Sequence, residues 1–138
     1  MSTYAMAADD DNYASPSSAA AAQASDLCRV LPSQAAGCFK KYGDAFYVQD
    51  QGADGLETFV QWENQLKNSA SSWVGYRSGA CRNSLGAYNW GVCNKDFYEN
   101  STTNNKGGKG SRIRFRVCVD GVFSDDCTSY SEWLYNDA

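Results

Sequence analysis

The chain has 138 residues, six Cys, no His and a formal net charge of −4. Its first 26 residues hold Asp9, Asp10, Asp11 and Asp26 and no Lys or Arg, so the net charge belongs to the N-terminal segment and the rest of the chain is neutral. The length fits one domain, the neutral body argues against nucleic-acid binding, and no apolar run approaches the ~20 residues that insert into a membrane. Without His there is no Ser-His-Asp or Cys-His catalysis and no His-ligated zinc hydrolysis, which leaves carboxylate-pair chemistry as the enzymatic option.

Residues 1–27 read as an arm. Positions 14–25 contain six Ala, four Ser, one Pro and one Gln, a low-complexity stretch with nothing large to bury. Such a segment is expected to be flexible when alone, with at most a marginal helical turn in the Ala run. Ahead of it, Tyr4, Met6 and Tyr13 flank Asp9, Asp10 and Asp11, giving aromatic and thioether anchors around a charge. The Asp run lacks the Gly and terminal Glu of an EF-hand loop, so no metal and no cofactor are expected. Ala5-Met6-Ala7 resembles the small-residue end of a signal cleavage site, and an upstream signal is the expectation.

Residues 28–138 read as a single β-domain. Cys28–Cys38 is expected to clip a small loop or helical turn. Residues 44–50 (DAFYVQD) read as a strand, followed by a Gly-rich turn. Residues 56–66 fit either a helical stripe or a strand, and strand is preferred. Residues 73–80 read as a strand running into Cys81, and 88–93 and 96–99 continue the sheet. Residues 100–111 form a polar, Gly-rich loop that contains an Asn-Ser-Thr sequon. The clearest strand is 112–120, with Ile113, Phe115, Val117 and Val119 on one face and Arg112, Arg114, Arg116 and Cys118 on the other. Asp120-Gly121 signals a hairpin turn, and 127–135 is the expected return strand. The fold class is all-β, a disulfide-stapled β-sandwich or Greek-key-like domain.

Six Cys allow fifteen connectivities. Their order along the chain favours nearest neighbours: Cys28 with Cys38, Cys81 with Cys93, Cys118 with Cys127. Three such staples indicate an oxidising, extracellular setting.

Three groups of residues are candidates for function. The Arg112, Arg114 and Arg116 row spans about 13 Å at strand spacing and suits an anionic partner; the plainer reading is a solvated face neutralised by a carboxylate such as Glu132. Trp62, Trp73, Trp90 and Trp133 suit a sugar-stacking platform, as in a carbohydrate-binding module, although aromatics on strands more often pack. Glu57, Glu63, Glu99, Glu132, Asp96, Asp125 and Asp126 supply acids, but nothing in their spacing forces the facing pair that glycosidase chemistry needs. An enzyme is not expected.

Five segments carry a resemblance. They are Gly37-Cys38-Phe39-Lys40-Lys41-Tyr42-Gly43-Asp44, Trp73-Val74-Gly75-Tyr76-Arg77, Cys81-Arg82-Asn83, Trp90-Gly91-Val92-Cys93-Asn94-Lys95-Asp96-Phe97 and the strand Ile113–Val119. Over roughly residues 38–120 the chain resembles the small adaptor subunit of the umbrella toxin particles of Streptomyces. The resemblance implies a secreted, non-enzymatic adaptor. Its β-domain would dock on a helical-repeat toxin subunit, and its N-terminal extension would insert into a lectin-bearing subunit with a protease-like domain. No catalytic residue is carried over, and the arm matches only as an acidic, Tyr-bearing extension.

Overall fold

The computed structural model describes residues 10–121 and 123–136. The strands are β1 (Asp10–Tyr13), β2 (Ser15–Ser17), β3 (Leu27–Leu31), β4 (Ala35–Lys40), β5 (Ala45–Asp50), β6 (Thr58–Asn68), β7 (Trp73–Asn83), β8 (Trp90–Asn94), β9 (Gly107–Val119), β10 (Asp126–Cys127) and β11 (Leu134–Tyr135). A helix, α1 (Ala19–Gln23), lies between β2 and β3. One sheet runs β1-β7-β6-β9-β10, with β11 also on β9; the other runs β2-β8-β5-β4-β3. The two pack as a sandwich, as the alternating strand patterns require.

The core follows from those patterns. Val60, Trp62 and Leu66 of β6 and Ile113, Phe115 and Val117 of β9 are buried, as are Phe39 of β4 and Phe46 and Val48 of β5. Phe46 stacks on Trp62 with ring centroids 5.7 Å apart. Residues 96–99 do not continue the sheet as expected. They form an irregular segment that drops Phe97 into the core, edge-on to Trp62 at 5.2 Å. Gly37 marks a close approach of the layers: a Cβ there would lie 2.5 Å from Val60 Cγ2 and 2.7 Å from Val117 Cγ2.

All three disulfides join nearest neighbours. Cys28 lies opposite Cys38 in a β3–β4 hairpin, so the expected small loop or helical turn is a pair of strands. Its tight turn places Ser33 at φ 63°. Cys118 lies opposite Cys127 across β9 and β10. Cys81–Cys93 differs, because it ties β7 of one sheet to β8 of the other. Disulfides of this number suit an oxidising compartment.

The segment read as a flexible arm divides differently. Residues 10–17 pair with strands of both sheets, and α1 packs on one of them. β1 pairs in parallel with β7, and β2 pairs antiparallel with β8. Ser18 caps α1 by accepting a hydrogen bond from the Ala21 N–H at 3.1 Å. Ala22 is fully buried beside Tyr47, Trp90 and Val92 on the outer face of the second sheet. The small side chains that suggested disorder are what permit this. Ala14 meets Gly91 so closely that a Cβ on Gly91 would lie 2.6 Å from that of Ala14.

Two boundaries also shift in the C-terminal half. β9 begins at Gly107, inside the expected loop, where Gly107 and Gly110 adopt positive φ. The return segment is strand only at its ends, β10 and β11. Between them the Thr128 N–H donates to Val117 O at 2.9 Å and the Ser131 N–H to Phe115 O at 2.7 Å, keeping it alongside β9.

Candidate functional site

The outer face of the six-stranded sheet carries the most organised polar surface among the described residues. Strand alternation directs Arg112, Arg114 and Arg116 to this face, and the β6–β9 register sets them opposite Gln65, Glu63 and Gln61. Arg112 donates Nε and Nη2 to Gln65 Oε1 at 2.9 and 2.6 Å. Arg114 donates Nε to Glu63 Oε1 at 2.9 Å and pairs through Nη2 at 2.7 Å. Arg116 donates Nε to Gln61 Oε1 at 2.7 Å. The neutralising carboxylate is therefore Glu63 of β6, and Glu132 pairs with none of the three among the described residues. Two of the three guanidiniums rest on neutral amides, so the row keeps positive charge.

Aromatic rings interleave with the row. The Arg112 guanidinium lies 4.2 Å from the centroid of Trp73 and 4.3 Å from that of Trp133. Arg114 lies 4.8 Å from Trp133 and 4.5 Å from Tyr130, and Arg116 lies 4.8 Å from Tyr130. The result is a ladder of alternating rings and guanidiniums, each contact worth about 0.5–1 kcal/mol at a partly exposed site. Burial is the main reason the Tyr130 hydroxyl titrates above its usual range, with the Glu63 charge adding to it. Trp73 comes from β7, while Tyr130 and Trp133 come from the irregular segment beside β9. Their spacing in the return segment, opposite an alternating Arg strand, is the sequence signal for this ladder.

At the other end of the same face, Arg82 of β7 gathers carboxylates. It pairs with Asp11 of β1 at 2.8 Å, with Glu57 at 3.2 Å and with Asp120 at 3.7 Å. Its guanidinium lies 4.6 Å from the Phe59 ring, which packs with Ala80 and the Cys118–Cys127 bond. Burial works against the Arg82 charge, but the hydrogen bonds and charges of Asp11, Glu57 and Asp120 more than offset it and raise its pKa. Asp120 is raised by burial and by its neighbour Asp125.

The other sequence candidates are placed as follows. Tyr4, Met6 and Asp9 lie outside the described residues. Asp10, Asp11 and Tyr13 lie in β1, and Tyr13 is 65% exposed. Trp62 is in the core, Trp90 packs beside Ala22 beneath α1, and Trp73 and Trp133 carry guanidiniums over their rings. Glu57 and Glu63 are held in ion pairs with Arg82 and Arg114. A cleft of about 290 Å³ opens beside the Arg82 cluster, lined by Asp50, Glu57, Asn83 and the glycines of the adjoining loops. Asn83 is tied there by donating Nδ2 to Val48 O and Asn89 O, both at 2.8 Å.

No protein-family model, curated protein or solved structure matches the chain.

Proposed function

We propose that this chain is a non-enzymatic adaptor that joins protein partners in a secreted antibacterial toxin complex. The single supporting observation is the Arg112–Arg114–Arg116 ladder, where three guanidiniums face one carboxylate and are held in place by Trp73, Tyr130 and Trp133. Guanidiniums fixed between rings present donors without losing side-chain freedom on docking, which suits recognition of an acidic protein surface. In this reading the ladder face docks on the helical-repeat toxin subunit, and the residues before β1, including Tyr4, Met6 and Asp9, engage the lectin-type subunit. Asp10, Asp11 and Tyr13 anchor that segment to β7.

Mass spectrometry of what co-purifies with the natively secreted protein tests the reading, and a large helical-repeat toxin together with a lectin is the expected result. A triple Arg112→Ala, Arg114→Ala, Arg116→Ala variant is expected to lose the toxin partner and keep the lectin. Removal of residues 1–9 is expected to do the reverse. Retention of both partners by both variants defeats the proposal.

A further inference from the structure

The ladder occupies only half of its face, and the two halves are oppositely charged. At the ladder end Arg112, Arg114, Arg116 and Lys67 face one carboxylate, Glu63; Lys67 Nζ lies 5.0 Å from the Trp73 ring. At the other end Asp11, Glu57 and Asp120 pair with one guanidinium, Arg82, and Asp125 lies beside Asp120. Each end thus has three unbalanced charges, positive at one and negative at the other. The register of β6 and β9 puts both groups on one side of one sheet. Arg112 and Cys118 are six residues apart on β9, so the ends are separated by about 20 Å at strand rise.

We infer that this face pairs back to back with a second copy of the chain. The inference rests on reading the ladder as a docking surface; a second copy and the toxin subunit would occupy that face in turn, the dimer parting before the partner docks. A two-fold axis lying in the interface, perpendicular to the strands, reverses strand direction and lays β9 over β9 and β6 over β6. Arg112 and Arg114 then meet Asp120 and Asp125 of the second copy, and Lys67 meets Glu57. Each contact occurs twice, as an isologous interface requires. Tyr13 at the acidic end and Tyr135 at the ladder end, 65% and 44% exposed, are covered in the process. β6, β7, β9 and the return segment, each about ten residues long, present roughly 600 Å² per copy, at the small end of specific interfaces. Association is therefore reversible, and salt weakens it.

Sedimentation velocity of the full, oxidised chain tests this. At about 20 mM salt a species near twice 15.1 kDa is expected, giving way to monomer at about 500 mM. The variants Arg112→Glu/Arg114→Glu and Asp120→Lys/Asp125→Lys are each expected to be monomeric at low salt. Mixed in equal amounts, they are expected to form a heterodimer. Intact disulfides by mass spectrometry and native tryptophan fluorescence verify that the variants are folded, and the wild-type salt series stands without them. Wild-type protein that stays monomeric at low salt overturns the inference, as does a mixture of folded variants that fails to associate. The adaptor reading fails separately: a dimer whose ladder variants still capture the toxin partner keeps the inference and removes that reading. A monomer whose ladder variants lose that partner does the opposite.

Discussion

Asp44 shows how one side chain sets a pH dependence. It is 7% exposed at φ 53°, between β4 and β5, where its Oδ2 accepts the Phe97 N–H at 3.0 Å and its Oδ1 has no partner. Burial raises its pKa, and nearby Asp96 adds to this; the Phe97 N–H, the Asn136 amide and Arg77 act in the opposite direction. A folded-state carboxyl raised above its unfolded value holds a proton that the unfolded chain has already released. Its contribution is therefore fully present below the ordinary carboxylate range and is lost as pH rises through the folded value. Asp44→Asn removes this dependence, keeps an acceptor for Phe97 and tolerates positive φ. Urea denaturation is expected to show a stabilised variant at pH 7 and little difference near pH 4. Trp133 is the matching case on the surface: Trp133→Ala takes a ring from both Arg112 and Arg114. A loss of about 2 kcal/mol is expected in the same assay, with the effect of Arg112→Ala reduced in the Trp133→Ala background by the part that Trp133 carries.

Among the elements, β1 is a short strand at the edge of its sheet. It is a four-residue parallel edge strand, fixed by its ladder to Gly79–Arg82, by the Ala14 N–H donating to Arg82 O at 2.7 Å and by the Arg82–Asp11 ion pair. Arg82→Ala removes the ion pair and the cover over Phe59 while leaving the backbone ladder. Amide exchange of Asn12, Tyr13 and Ala14 is expected to speed up at least about tenfold, with the β6–β9 amides unchanged. Unaltered exchange at those three positions would mean that Arg82 has no part in holding the strand. β9 and β1 also mark the limits of legibility. β9 could be read from residues 112–120 because its inner positions are all large and apolar and three successive outer ones are Arg, a contrast that a half-buried strand makes. β1 and β2 could not, because their burial depends on the faces they meet. Neither Ala14 nor the Ser15–Ser17 strand signals by itself that β8 offers Gly91 as a flat surface.

The same point governs the whole molecule. The disulfide pairing was readable because each bridge closes a short loop, and the aromatic-rich strands announced a sandwich. The N-terminal segment looked separable because composition reports hydrophobic content rather than fit. In the fold, residues 10–26 complete an edge of each sheet and cover Tyr47, Trp90 and Val92 with α1. A chain lacking residues 1–26 is therefore expected to be less stable by several kcal/mol, from the area uncovered and the ladders lost. Its denaturation midpoint compared with the full chain measures this, and an unchanged midpoint contradicts the role given to β1, β2 and α1. The candidate site was half legible on the same grounds. The Arg row follows from alternation on one strand, whereas its rings come from β7 and from a segment some fifteen residues downstream that alternation does not describe.

The bond between Cys81 and Cys93 has a consequence in time. Cys81 is fully buried and Cys93 is 6% exposed, whereas Cys28 of the β3–β4 hairpin faces solvent and Cys127 is partly open. A reductant must reach sulfur to attack it, so accessible bridges open while the sandwich is closed and the inter-sheet bridge waits until the layers part. Under mild thiol treatment, alkylation is expected to label Cys28 and Cys38 first, then Cys118 and Cys127, and Cys81 and Cys93 last, together with loss of native fluorescence. The molecule would thus lose its hairpin staples gradually and its cross-layer bolt all at once, so it survives transient reducing conditions as a closed sandwich and fails only when that last bond is reached.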